Sequence, residues 1–406
     1  MFQDPVFLRD CCRCAACVNP STRQKQFESA DIPENIKAKT VEATEHGMRF
    51  TWEDDIPGFG DDHVTELSLD EIADMTQRPK YAELWRDYHR FWKKADIQDD
   101  LTVIDYQSYI DTDQALLATL RALRRYGLAF VQNVPESEES VINIAKRIGP
   151  LKNTFYGYTW DVRSVPDAKN VAYTHGHLGF HMDLLYMKQS PRLQFLHCMR
   201  SSAQGGASLF VDSFRAVSDL MTEDSRLKSY LGLETHFEYD NDGHYYSALK
   251  PTVSFKTSSR RQRKELSLQG RKAAKFIDAV NYAPQFQGRQ DHLQNSRTMF
   301  NRWHVAQALL KNKFEQDDML YERQMKPGEC VIFDNQRVLH ARTAFVPGDA
   351  GKERWLRGAY LDSDPWMSKM KALEDKHGAE QLPERQDLQA SRESDAAPEN
   401  EDIEII

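Results

Sequence analysis

The chain is 406 residues long, with 53 Lys and Arg against 62 Asp and Glu and a formal net charge of -9. That length accommodates one large catalytic domain, a smaller appendage and a substantial core, while the acidic balance argues against the basic face or stripe of a general nucleic-acid binder. No apolar run reaches membrane-spanning length, and the first residues carry Asp4 and Asp10 instead of a basic-then-apolar leader, so a cytoplasmic protein without membrane contact is expected.

Four of the six cysteines crowd into Cys11-Cys12-Arg13-Cys14-Ala15-Ala16-Cys17, while Cys198 and Cys330 stand apart in apolar surroundings. Neighbouring cysteines cannot easily all meet disulfide geometry, so the cluster favours a metal and reducing surroundings. Residues 18–65 are polar apart from strand-like pieces such as 48–52, which predicts a small β-rich module in need of a staple. With its connector it is expected to span residues 1–95. Residues 81–92, dense in aromatic and aliphatic side chains, suggest a short helix or a lid-like connector, and 96–100 reads as an acidic linker.

Residues 116–126 have helical spacing, Gly127 precedes a strand-like 128–131, and a second helix is expected over 138–148, ended by Gly149-Pro150. Beyond residue 150 the pattern changes to short strands between Gly, Asp and Pro turns, at 171–173, 194–198, 207–211, 329–333 and 355–361. Many short strands with long excursions predict a mainly β fold with flanking helices, a double-stranded β-helix (jelly roll) over residues 96–375. The basic stretch 257–275 is expected to be a solvated insertion loop. Residues 376–406, polar, acidic and almost free of aromatics, are expected to form a disordered tail.

The chemistry concentrates in His181-Met182-Asp183 and in a late series, His340, Arg342 and Arg354. In a strand, residues i and i+2 share a face, so His181 and Asp183 can converge while Met182 points away. His340 is expected in a loop just past the strand 331–333, returning to the barrel mouth. Two imidazoles and one carboxylate occupy one face of an octahedral metal and leave the other open, the arrangement of non-haem Fe(II) oxygenases. Arginine receives a carboxylate bidentately and a serine hydroxyl adds a third hydrogen bond, so the arginines and Ser208 after Gly205-Gly206 suit a dicarboxylate.

The motifs Phe155-Tyr156-Gly157-Tyr158-Thr159-Trp160, Asn170-Val171-Ala172-Tyr173-Thr174, Phe180-His181-Met182-Asp183, Leu196-His197-Cys198, Gly205-Gly206, Phe333-Asp334-Asn335 with Leu339-His340, and Arg354-Trp355-Leu356-Arg357-Gly358-Ala359-Tyr360 carry a resemblance. With Phe7-Leu8-Arg9-Asp10 ahead of the cysteines, it covers nearly all of residues 6–370. The chain resembles the γ-butyrobetaine dioxygenase and trimethyllysine dioxygenase family, within the taurine-dioxygenase-like superfamily of Fe(II)/2-oxoglutarate oxygenases.

The resemblance implies that His181, Asp183 and His340 hold Fe(II), and that Arg354 pairs with the distal carboxylate of the co-substrate 2-oxoglutarate with help from Ser208. Arg342 would lie just behind them. It further implies a structural zinc on Cys12, Cys14, Cys17 and His63, with Cys11 extra. An aromatic cage for a trimethylammonium group would comprise Tyr156, Trp160, Tyr173 and Tyr360, with Asn170 meeting a substrate carboxylate. Leu184 stands where γ-butyrobetaine enzymes carry another aromatic, and Val280-Asn281-Tyr282-Ala283-Pro284 replaces a stretch that supplies an asparagine there.

The expected activity is hydroxylation of a small molecule by O2 and 2-oxoglutarate, with γ-butyrobetaine and hence carnitine biosynthesis as the leading substrate reading. Trimethyllysine or a different small molecule of a specialised pathway are the alternatives within that chemistry. A jelly-roll binding protein without catalysis is the alternative of another class, and relatives suggest a homodimer.

Overall fold

The computed structural model describes residues 4–60, 62–76, 89–163, 175–202, 204–224, 226–255, 276–294, 296–346 and 354–377. The strand expected over 171–173, the basic stretch 257–275, residues 81–88 of the connector and the tail from 378 lie outside the described residues. Two compact units are present, Met1–Asp87 and Tyr88–Ile406.

In the first unit Asp4 caps the helix Pro5–Asp10 by accepting from the Val6 amide at 2.8 Å, and Pro5 sits in the first turn, where its missing N–H is not needed. Three antiparallel strands follow in the order β1-β2-β3: β1 (Lys37–Thr44), β2 (Gly47–Glu53) and β3 (Thr65–Ser68). Alternation along β2 turns Phe50 and Trp52 inward, where they meet Ile32, Ile36, Ile56 and Leu67. The indole Nε1 of Trp52 donates to Thr65 Oγ1 at 2.9 Å, so its polar atom is satisfied inside this small core.

The second unit carries β4 (Val103–Asp105), β5 (Leu128–Gln132), β6 (Thr159–Arg163), β7 (Leu178–His181), β8 (Leu193–Arg200), β9 (Ser208–Asp212), β10 (Glu234–Asn241), β11 (His244–Pro251), β12 (Val253–Phe255), β13 (Ile277–Val280), β14 (Tyr321–Arg323), β15 (Cys330–Asp334), β16 (Val338–Arg342) and β17 (Trp355–Leu361). A six-stranded sheet has the order β4-β5-β15-β8-β17-β6, and a four-stranded sheet the order β14-β9-β16-β7. Leu128, Phe130, Leu196, Val331, Phe333 and Leu356 of the first pack against Phe210, Tyr321 and Val338 of the second. Two sheets closed over one core make a sandwich of jelly-roll type. Helices Asp113–Tyr126 and Glu138–Ile148 cover the six-stranded sheet, and Ser213–Glu223 packs on β13 and β16 with Arg297–Phe314 against it.

An ion pair locks the four-stranded sheet. Arg337, just before β16, places Nη2 2.8 Å and Nε 3.1 Å from the Asp212 carboxylate at the end of β9, and its remaining donors reach the carbonyls of Arg90 and Arg125. Both side chains are fully buried, and breaking such a pair by removing one partner costs about 3–5 kcal/mol.

Three expectations are corrected. Residues 96–100 are the body of a helix, Lys94–Asp100, because Asp96 caps the Lys93 amide at 2.8 Å and Ile97 is buried. His340 lies within strand β16, since Asp334–Arg337 cross from one sheet to the other and the chain resumes pairing at Val338. Asp183 lies beyond the strand that His181 ends, so strand alternation does not bring the two together.

Candidate active site

His340 stands opposite His181 in the β16–β7 pairing and opposite Phe210 in the β16–β9 pairing. The two imidazole rings are 4.1 Å apart between centroids. His181 Nδ1 lies 2.9 Å from the Gly179 carbonyl, which assigns it the proton and leaves Nε2 as the free lone pair. The Nε2 atoms of His181 and His340 lie 3.4 and 3.8 Å from Asp183 Oδ1.

Asp183 reaches this point because the turn after β7 is held by other elements. The Met182 amide donates to the Tyr282 carbonyl at 2.9 Å. The Asp183 amide donates to Asn335 Oδ1 at 2.8 Å, while Asn335 Nδ2 donates back to the Asp183 carbonyl at 3.0 Å. The second carboxylate oxygen, Oδ2, accepts from Gln194 Nε2 at 2.8 Å and from the Tyr360 hydroxyl at 2.6 Å. Burial acts to raise the Asp183 pKa, but the polar groups around it, the His181 and His340 imidazoles and the Tyr360 hydroxyl, outweigh it and hold the carboxylate below its usual range. Burial, with His181 beside it, pulls His340 down to about 3, so that ring is neutral. Two imidazole nitrogens and one carboxylate oxygen, converging within 4.8 Å of one another, are a donor set that fits non-haem Fe(II).

The triad opens into a pocket also lined by Ser208, Arg342 and Arg354. Ser208 and Arg342 face each other across β9–β16, and both guanidiniums lie over the Phe345 ring, at 4.8 Å for Arg342 and 5.6 Å for Arg354. Gly206 has φ +76°, and a Cβ there would meet Ser202 Oγ at 2.5 Å and the Arg354 side chain at 3.3 Å. The glycine thus makes room for Arg354. Burial pulls both arginines down to about 10, and they stay charged at neutral pH. No carboxylate acts on Arg354 among the described residues, which leaves a buried cation suited to an incoming carboxylate.

The remaining wall is aromatic. Tyr156, Trp160, Tyr186, Phe286 and Tyr360 line it together with Leu184. The Trp160 indole lies 5.0 Å from the Tyr360 ring and directly over Gly358, where a Cβ would come within 2.2 Å of it. Tyr186 shares a hydrogen bond with Tyr156.

Tyr186 and Phe286 were not singled out in the sequence. Leu184 has φ +60° and is buried, so the chain turns at that residue and brings Tyr186 to the wall. Phe286 ends the short 3-10 turn Pro284–Phe286 that follows the divergent stretch 280–284. Asn281 in that stretch donates to the Pro251 carbonyl at 2.7 Å and is not among the pocket-lining residues. Gln194 and Asn335 were also missed as carboxylate partners; the only signal was their place in the motifs around Leu196 and Phe333. Asn170 and Tyr173 lie outside the described residues.

In the first unit Cys12, Cys14 and Cys17 place their sulfurs 3.5, 3.6 and 3.3 Å from His63 Nε2. Zinc bonds of about 2.3 Å to sulfur and about 2.0 Å to nitrogen separate tetrahedral S and N ligands by about 3.5 Å, so these four residues fit that metal. His63 Nδ1 meets Asp55 Oδ2 at 2.7 Å, and Asp55 in turn pairs with the buried Arg9, whose Nη1 lies 3.3 Å from Cys17 Sγ. Arg9 therefore sets a positive charge beside the Cys17 sulfur. Cys11 stays outside the cluster.

A jelly roll whose mouth gathers two imidazoles, one carboxylate and a buried pair of arginines around an aromatic pocket is the arrangement of a non-haem iron oxygenase. The chain belongs to the taurine catabolism dioxygenase TauD/TfdA family, whose model matches residues 93–360. It is an Fe(II)/2-oxoglutarate-dependent dioxygenase. Residues 4–60 match the γ-butyrobetaine hydroxylase-like N-terminal model.

Among similar proteins, a dioxygenase of Strobilurus tenacellus is 34% identical over 90% of this chain and 84% of its own length. The γ-butyrobetaine dioxygenase of Pseudomonas sp. strain AK-1 is 30% identical over 91% of this chain and 90% of its own. The mitochondrial trimethyllysine dioxygenase of Mus musculus is 28% identical over 91% and 82%. No described helix is long and apolar enough to cross a membrane.

Proposed function

We propose that this dioxygenase hydroxylates a small molecule bearing a trimethylammonium group, with γ-butyrobetaine as the first candidate and trimethyllysine as the second. In this reading His181, Asp183 and His340 hold Fe(II), and Arg354, with Ser208 beside it and Arg342 behind, receives the distal carboxylate of 2-oxoglutarate. Bound iron supplies the oxygen chemistry that couples conversion of 2-oxoglutarate to succinate with hydroxylation of a C–H bond. The protein's own residues set the orientation: the arginines fix one end of the co-substrate, and the aromatic wall holds the substrate and excludes water.

The observation that carries the substrate class is the state of the hydroxyls on that wall. Tyr360 gives its hydroxyl to Asp183, and Tyr156 and Tyr186 engage each other. With Trp160 and Phe286 the tyrosine rings make this wall aromatic, which suits a quaternary ammonium that cannot hydrogen-bond and is held by cation–π attraction. Both relatives named for trimethylammonium substrates point the same way.

Succinate formation with γ-butyrobetaine, trimethyllysine and an isostere carrying a neutral tert-butyl group tests this. Turnover is expected with a betaine and not with the isostere. Tyr186→Leu should weaken the betaine by about 0.5–2 kcal/mol, the worth of one desolvated cation–π contact, and leave any residual use of the isostere unchanged. Equal turnover of both compounds would eliminate the cation. A neutral substrate is then the second reading, favoured by the buried Trp160 Nε1, which has no hydrogen-bond partner among the described residues and would take an acceptor.

For the first unit we propose one structural zinc on Cys12, Cys14, Cys17 and His63. Elemental analysis should find one zinc per chain beyond the iron. Chelating it should lower the melting temperature of the first unit and leave Fe(II) binding intact, since structural zinc contributes to folding directly. Zinc-free protein of unchanged stability would refute the assignment.

A further inference from the structure

We infer that Tyr360 and Gln194 are positioning residues that restrict Asp183 to a single coordinating oxygen; this rests on the metal reading above. A carboxylate can hold a cation through one oxygen or through both. An octahedral ion with three protein ligands has three positions left, of which a bidentate co-substrate takes two and dioxygen needs the third. If both oxygens of Asp183 bound, that third position would be lost.

The arrangement around Asp183 prevents this. Oδ1 faces both Nε2 atoms, at 3.4 and 3.8 Å. Oδ2 is held on its other side by the Tyr360 hydroxyl at 2.6 Å and Gln194 Nε2 at 2.8 Å. These two donors come from neighbouring strands: Tyr360 of β17 pairs with Gln194 of β8, which puts both side chains on one face of the six-stranded sheet. The main chain of Asp183 is fixed independently by Asn335, so the side chain starts from a set point and the two donors on Oδ2 govern how its carboxylate turns. Tyr360 thereby has two separable parts, a ring that packs against Trp160 in the substrate wall and a hydroxyl that serves the metal ligand.

The full chain is tested with Co(II) as the metal probe, comparing wild type, Tyr360→Phe, Gln194→Leu and the double variant. Each single variant should bind Co(II) about tenfold more weakly and the double variant up to about 100-fold, the range seen when partners of metal ligands are removed. The Co(II) visible spectrum should change in the same variants before any substrate is added, and the variants should consume 2-oxoglutarate with less product formed per succinate. Because Tyr360→Phe keeps the ring, its KM for the primary substrate should stay within about threefold. Wild-type affinity and spectrum in both Tyr360→Phe and the double variant would overturn the inference. Should Tyr360→Phe fail to fold, Gln194→Leu decides by the same readouts. Failure of the wild type to bind Co(II) at all would instead overturn the metal reading, and this inference with it.

Discussion

Replacement of His181, Asp183 or His340 by Ala is expected to abolish 2-oxoglutarate turnover, with a loss greater than about 100-fold in each case. Partners of metal ligands already cost about 10–100-fold when removed, and among the described residues these three are the donors that the cluster contains. Asp183→Ala should be the most damaging, because it removes the carboxylate and also leaves the Tyr360 hydroxyl and Gln194 Nε2 without their acceptor. Iron content after reconstitution, read alongside succinate formation, checks the cause. A variant with full iron occupancy and full turnover would remove that residue from the metal site.

Arg354→Ala is expected to raise the requirement for 2-oxoglutarate by about 2–5 kcal/mol, the usual cost of truncating one side of a buried charge pair. Arg354 is 4% exposed and no described carboxylate acts on it, so its charge awaits a ligand. Arg342 stands over the same Phe345 ring but has its Nη2 on the Gly176 carbonyl at 2.8 Å. Arg342→Ala should therefore have the smaller effect. Titrating 2-oxoglutarate at saturating primary substrate measures both variants; an unchanged dependence in Arg354→Ala would transfer the role to Arg342.

The elements legible in the sequence were those whose pattern is local. The helices Asp113–Tyr126 and Glu138–Ile148 follow from periodicity and the glycines that end them, and the strand Trp355–Leu361 from its own run of residues. The acidic residues over 96–100 predict a solvated connector, whereas Ile97 turns into the core and Asp96 caps the first turn of a helix. A loop is the local expectation for His340, because nothing in the nearby sequence marks where the chain crosses from β15 to β16. Pairing with β7 and β9 decides that.

The residue types at the site were in the sequence from the outset, because metal and carboxylate chemistry demand particular functional groups: His181, Asp183 and His340 for one, Arg354 and Ser208 for the other, and the four N-terminal candidates Cys12, Cys14, Cys17 and His63. Their mutual geometry was not. Asp183 is aimed by Asn335, 152 positions away in the chain, and held by Gln194 and Tyr360 from two other strands. Tyr186 lines the pocket two residues beyond Leu184, whose backbone is left-handed. Sequence by itself determined which chemistry this protein can carry, since that depends on side-chain identity. The tertiary structure alone decided which oxygen of Asp183 faces the two imidazoles and which rings line the pocket, since those depend on hydrogen bonds and packing between segments far apart along the chain.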